Sequence, residues 1–170
     1  MYDDARRPIR TSVVHLGAGV GRIRLDLMPK PKRPPVVAIL NSNDDLVELL
    51  RNLLEQAGFV TVTGHIDDVR RGNLDLVNFV KQHQPNVIVY DLVPPYDRSW
   101  TYLYLLRDSE PLRGRPFVLT SVNAARAREV VGHSEMVYEI VGKPLDLDQV
   151  VTAVKEASKA RPTPRAKALR

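Results

Sequence analysis

The sequence predicts an α/β fold, a parallel sheet covered by helices on both faces, and two observations carry that reading. Short β-branched or continuously apolar runs recur along the chain, and segments with apolar residues at helical spacing separate them. VVAIL, residues 36–40, is an unbroken apolar run that suits a strand buried on both faces, and NSNDD after it is a helix-start signal. LVELLRNLLEQAG, from Leu46, carries the helical period and closes on Gly58 as a C-cap. FVTVT, 59–63, is a second strand. LDLVNFVKQHQP, 74–85, is a helix stopped by Pro85, and NVIVYD, 86–91, a third strand. SWTYLYLLRD supplies a third helix, PFVLTS (116–121) a fourth strand and AARAREVV a fourth helix. MVYEIV (136–141) is a fifth strand, and LDLDQVVTAVKEASKA opens a fifth helix after Pro144. Five strands alternating with five helices call for right-handed βαβ crossovers.

The remaining sequence lies at the ends. MPKPKRPP, 28–35, has four prolines in eight residues and marks a linker, since proline denies donors and helical geometry. Residues 1–35 carry eight Lys and Arg against three acids; residues 159–170 carry five and none, so each end is +5. Residues 36–158 hold twelve bases and seventeen acids, a net of −5. The expected organisation is a basic N-terminal extension (1–35), one domain (36–158) and a basic, disordered or loosely docked C-terminal tail (159–170). A chain of 170 residues would hold a second core only with difficulty. Cysteine is absent, which excludes disulfides, thiolate nucleophiles and cysteine-ligated zinc. Charges interrupt the N-terminal apolar runs before the length of a signal or membrane segment, so a soluble, cytoplasmic protein with no membrane partner is expected.

In open parallel sheets ligands bind beyond the carboxyl ends of the strands, at the switch point in strand order. The residues there are Asn41 and Ser42 after the first strand, Asp91 after the third, Thr120 and Ser121 after the fourth, and Lys143 with Pro144 after the fifth. An Asp, a hydroxyl and a Lys at the ends of strands three, four and five resemble the receiver domain of bacterial two-component response regulators. Pro95 stands four residues after Asp91, Lys143 is followed by Pro144, and LVELLRNLLEQAGF is similar to that family's first helix. The resemblance covers roughly 36–158. It implies a flavodoxin-like (βα)5 doubly wound sheet of strand order 2-1-3-4-5 in a stand-alone signalling domain of a phosphorelay. It also implies Asp91 as phosphoacceptor from a histidine kinase or phosphotransfer protein, Lys143 as counter-ion and Thr120 as the hydroxyl that senses the phosphoryl group. Metal and ammonium are needed because a phosphoryl group brings about two negative charges to a carboxylate. The resemblance implies output by contact with a downstream protein, with a second copy of the chain as a further candidate partner, and no enzymatic activity beyond autophosphotransfer onto Asp91.

Two departures qualify what the resemblance implies. The family places two adjacent acids after the first strand, where this chain has Asn41 and Ser42. The cup of Asp91 and Lys143 then sums to zero, and Mg2+, which wants one or two carboxylates plus phosphate, is expected to bind weakly to Asp91, Asn41 and Ser42. Asp44 and Asp45 either reach back through water or complement the N-terminus of the first helix. The position three before Lys143 is normally a switching aromatic; here it is Ile140, with Tyr138 two residues earlier on the strand. Either Tyr138 substitutes in the switch with Thr120, or the switch is missing, and ordinary strand packing explains both residues.

Other readings have less behind them. Asp91 is also a residue that favours turns before Pro94 and Pro95, which would leave a phosphorylation-independent pseudo-receiver adaptor. LGAGVG, 16–21, suggests a dinucleotide fingerprint but runs into GRIRLDLMPKPKRPP instead of a helix, so a small hairpin fits it better. His15, His65, His83 and His133 are scattered singly without metal-ligand spacing, though His65 follows the second strand near the cup rim. Trp100, Tyr102 and Tyr104 either half-bury or form an aromatic patch for a partner. Basic extensions give a salt-sensitive route to nucleic acid, but no reading module accompanies them, so nucleic acid is the minor alternative. Haloacid-dehalogenase-like chemistry needs a second Asp where Val93 stands, and a B12-type site needs a histidine in the loop where Leu92, Val93, Pro94 and Pro95 stand.

Overall fold

A computed structural model describes residues 33–159. The predicted LGAGVG hairpin, His15 and most of both basic extensions lie outside them. Five parallel strands, β1 (Val36–Asn41), β2 (Val60–His65), β3 (Val87–Asp91), β4 (Phe117–Ser121) and β5 (Val137–Gly142), form one sheet in the order β2-β1-β3-β4-β5. The helices are α1 (Asp44–Gln56), α2 (Ile66–Arg71), α3 (Leu76–His83), α4 (Tyr96–Leu106), α5 (Ala124–Val131) and α6 (Leu147–Lys159). This is the flavodoxin-like, doubly wound arrangement. No helix of the described residues is long and apolar enough to cross a membrane.

The continuous apolar strands follow from burial on both faces. In β1, Val37 and Ile39 pack under α1 and α6 with Leu50, Leu54, Val150 and Val154. Ala38 and Leu40 face the other side, with Ile66 of α2, Leu76 of α3, Leu103 of α4 and Ala127 of α5. β3 and β4 repeat the alternation, and each fully buried aliphatic side chain contributes about 1.5–3 kcal/mol.

Two helix starts and one additional helix stand out against the sequence reading. α1 starts at Asp44, because the Asn43 side chain accepts the Leu46 N–H at 3.0 Å and caps the helix two residues ahead of the apolar period. A sixth helix, α2, follows β2 directly; His65 caps its start through the Asp67 N–H and Gly72, at φ +76°, ends it. α4 begins at Tyr96, three residues before the predicted Ser99, and Ser99 instead donates from Oγ to the Val93 carbonyl at 2.7 Å.

A fourth difference concerns Tyr138. β5 is irregular where Phe117 opposes Val137 and Val118 opposes Glu139, so Tyr138 is an inserted residue between them. The bulge breaks the two-residue alternation that would set Tyr138 on the face of Ile140. Ile140 packs in the core beside Leu119 and Ala127, while Tyr138 is exposed and donates to Glu156 of α6 at 2.9 Å. That acceptor holds the Tyr138 phenol above its usual pKa.

Candidate functional site

The switch in strand order lies between β1 and β3, and the sheet's buried polar residues gather at that end. Asn41, Asp91, Thr120 and Ser121 are all buried at the carboxyl ends of β1, β3 and β4. β3 and β4 pair Asp91 with Thr120, which sets the two side chains side by side. Thr120 Oγ1 donates to Asp91 Oδ1 at 2.9 Å. Lys143 arrives from the end of β5, its backbone N–H bonded to the Ser121 carbonyl at 2.8 Å, and its peptide bond to Pro144 is cis. Its Nζ lies 2.8 Å from both Asp91 oxygens. The structure therefore brings together all three residues singled out from strands three, four and five.

The first strand closes the cup from the other side. Ser42 Oγ donates to Asp91 Oδ2 at 2.7 Å. Asn41 is fully buried, accepts the Asn43 N–H on Oδ1 at 3.1 Å, and holds Nδ2 3.5 Å from Thr120 Oγ1. Asp91 is only 1% exposed, so a bare carboxylate there would be costly; one ammonium and two hydroxyls supply what water would. Unlike Asn41 and Ser42, Asp44 turns away: its side chain is 90% exposed and sits 3.8 Å from His65 Nε2. His65 itself reaches the rim only as the cap of α2.

A divalent metal, which the receiver resemblance implies, finds poor ligands in this cup. Asp91 is its one carboxylate, both oxygens already bonded, and Asn41 Oδ1 is engaged by backbone. Among the described residues no group of three His, Cys, Asp or Glu side chains is placed to hold a metal ion. The residues present do not fit Mg2+ well.

Beside the cup, on the α2 and α4 side, runs an open cleft of about 480 Å3 that sequence reasoning missed. Arg70 and Arg71 of α2, Tyr90 of β3, and Arg98 and Tyr102 of α4 line it, with Asp67 at one edge. The arginines come from segments far apart in sequence, and α2 itself was not foreseen. No pattern in either stretch signals that they meet. Trp100 of α4 is buried with its ring centroid 6.0 Å from that of Tyr104, whose other neighbour is the Arg107 guanidinium, 3.4 Å from the ring centre. The three aromatics of α4 thus divide, Trp100 into the core and Tyr102 and Tyr104 to the surface.

Several known proteins of similar sequence or fold are response regulators by name. No family model matches the chain. The polar-differentiation response regulator DivK of Brucella anthropi is 22% identical over 122 residues, which span 72% of this chain and 94% of the relative. DivK of Brucella ovis is 23% identical over 119 residues, 70% of this chain and 92% of its own. Among solved structures, a sensor protein from Polaromonas superposes with a TM-score of 0.61 at 21% identity, covering 74% of this chain and 96% of that one. A response regulator from Thermotoga maritima superposes with a TM-score of 0.59 at 15% identity, covering 75% and 100%. The fold is that of response regulator receiver domains, and the resemblance read from Asp91, Thr120 and Lys143 is matched by the relatives' names.

Proposed function

We propose that this receiver-fold chain is a signalling domain of the two-component type in which Asp91 is the phosphoacceptor, Lys143 its counter-ion and Thr120 the sensor of the phosphoryl group. The observation that supports it is the convergence of Thr120 and Lys143 within 2.9 Å of the Asp91 carboxylate at the switch point. In the transfer, a carboxylate oxygen of Asp91 attacks phosphorus, the bond from phosphorus to its donor breaks, and the donor leaves with the electron pair. Lys143 offsets the incoming charge. Thr120, now donating to Asp91, can turn the same hydroxyl to a phosphoryl oxygen and draw the end of β4 with it.

Metal affinity in this reading is weak, and transfer is slow, because the Ser42 hydroxyl must release Oδ2 and no second acid draws in a cation. The partners are a histidine kinase or phosphotransfer protein and a downstream protein, met in the cytoplasm, with no catalytic activity beyond autophosphotransfer. Incubation with acetyl phosphate, followed by intact-mass measurement, tests it. The expected result is slow gain of one phosphoryl group, lost in Asp91→Asn; no gain over prolonged incubation would refute it.

A second reading, a phosphorylation-independent pseudo-receiver adaptor, is favoured by one observation. Both Asp91 oxygens are already fully engaged in a buried network that resembles a closed state without any phosphoryl group. It predicts no mass gain and partner binding that persists in Asp91→Ala.

A further inference from the structure

The cleft between α2 and α4 differs from the rest of the domain in charge and in what its polar groups lack. Three guanidiniums, Arg70, Arg71 and Arg98, face it against one carboxylate, Asp67, leaving the wall with two net positive charges in a domain that is acidic as a whole. Asp67 is shared: it lies 3.6 Å from Arg70 and 4.0 Å from His65. Among the described residues the side chains of Arg71 and Arg98 make no hydrogen bond or ion pair. Cations brought together without partners repel one another, so folding alone does not explain their grouping.

Tyr90 supplies a second, independent observation. The residue is only 3% exposed, yet it lines the cleft, and its hydroxyl bonds to no group among the described residues. No protein group takes up the phenol, whose oxygen keeps access to solvent, so the cleft is lined by a donor that a ligand can claim from water. Burial, with Tyr102 and Asp91 nearby, pushes its pKa well up, so the hydroxyl stays protonated and able to donate. Tyr102 of α4, half-exposed, adds a flat apolar ring to the lining.

From these features we infer that the cleft binds a small organic phosphate of nucleotide size. A phosphate monoester carries about two negative charges, matching the net charge of the wall, and guanidinium forks fit its oxygens in pairs. The volume falls in the range of roughly 300–1,000 Å3 that small-molecule sites occupy, which leaves room for an organic body against Tyr102 as well as the phosphate. The cleft lies beside the Asp91 cup and is lined by other residues, so binding there does not depend on phosphotransfer to Asp91.

Calorimetric titration of the full chain with adenosine and guanosine 5′-monophosphates, inorganic phosphate and adenosine tests this. Trp100 fluorescence serves as a second readout, since Trp100 adjoins the cleft residue Ser99. The expected result is saturable binding of a nucleoside monophosphate, weaker binding of inorganic phosphate and none of adenosine. Arg71→Ala and Arg98→Ala should each weaken it about tenfold, and Tyr90→Phe about threefold. Both arginines are exposed and unpartnered, so their variants test the site even where Tyr90→Phe fails to fold. The inference is overturned by any of three results. These are absence of saturable nucleotide binding, adenosine or free phosphate binding as tightly as the nucleotide, or binding unchanged in the Arg71→Ala/Arg98→Ala double variant, which would put the phosphate on the basic terminal segments.

Discussion

The acid cup and the arginine cleft both open beside the end of β3, and they are built on opposite terms. In the cup one carboxylate meets one ammonium and two hydroxyls, every bond within 2.9 Å, and formal charge sums to zero. In the cleft three guanidiniums answer one carboxylate, and a buried phenol has no acceptor among the described residues. A charge as deeply buried as Asp91 must be satisfied internally for the fold to form, whereas groups on an open wall can be left unsatisfied because water covers the deficit. The cup's polar groups thus satisfy one another, while the cleft's arginines are left without protein partners among the described residues.

The largest effect expected from breaking this contrast lies in the cup. Lys143→Met removes the one cation among the described residues that faces a carboxylate 1% exposed, and the loss should be about 3–5 kcal/mol, read as a lowered urea midpoint. Adding Asp91→Asn to that variant should restore more than half of it, since the uncompensated charge disappears. A loss of less than about 1 kcal/mol in Lys143→Met would make the pair equivalent to a surface ion pair.

Smaller effects sharpen the same point. Ser42→Asp exchanges a donor 2.7 Å from Asp91 Oδ2 for a second carboxylate, and should cost about 1–3 kcal/mol in chelator. Magnesium should return much of that cost by raising the melting temperature of Ser42→Asp, with the unsubstituted chain melting alike in both buffers. A clear magnesium-induced rise in the unsubstituted chain would show that its cup already holds the ion. Thr120→Val keeps the shape of the buried side chain and removes its donor to Oδ1, for a loss of about 1–2 kcal/mol by denaturant titration.

Legibility in the sequence divides along the same line. The cup was visible because its residues sit at strand ends, and strands announce themselves as apolar runs whose last polar residue must lie at the sheet's carboxyl edge. Asp91, Thr120 and Lys143 needed only that placement. The cleft was not visible, because α2 is six residues long, too short for the apolar period to show, although Gly72 marked its end. Arg71 and Arg98 lie 27 positions apart on two helices, and nothing in either local pattern says that those helices share a wall. Tyr138 failed for another reason. Alternation along β5 assumes an unbroken ladder, and the insertion opposite Phe117 and Val118 leaves no mark in VYEIVG.

The smallest expected effect is the most discriminating one for the cleft. Arg98→Ala removes a side chain with no partner among the described residues and with two other guanidiniums on the same wall. Its stability change should therefore stay within about 0.5 kcal/mol, and at low salt its sign should favour the variant because like-charge repulsion is relieved. Raising the salt should shrink that difference toward zero, a trend that thermal melts at two ionic strengths would reveal. A destabilisation approaching that of Lys143→Met would mean that Arg98 holds α4 in place, and the cleft would then be a structural element of the same kind as the cup.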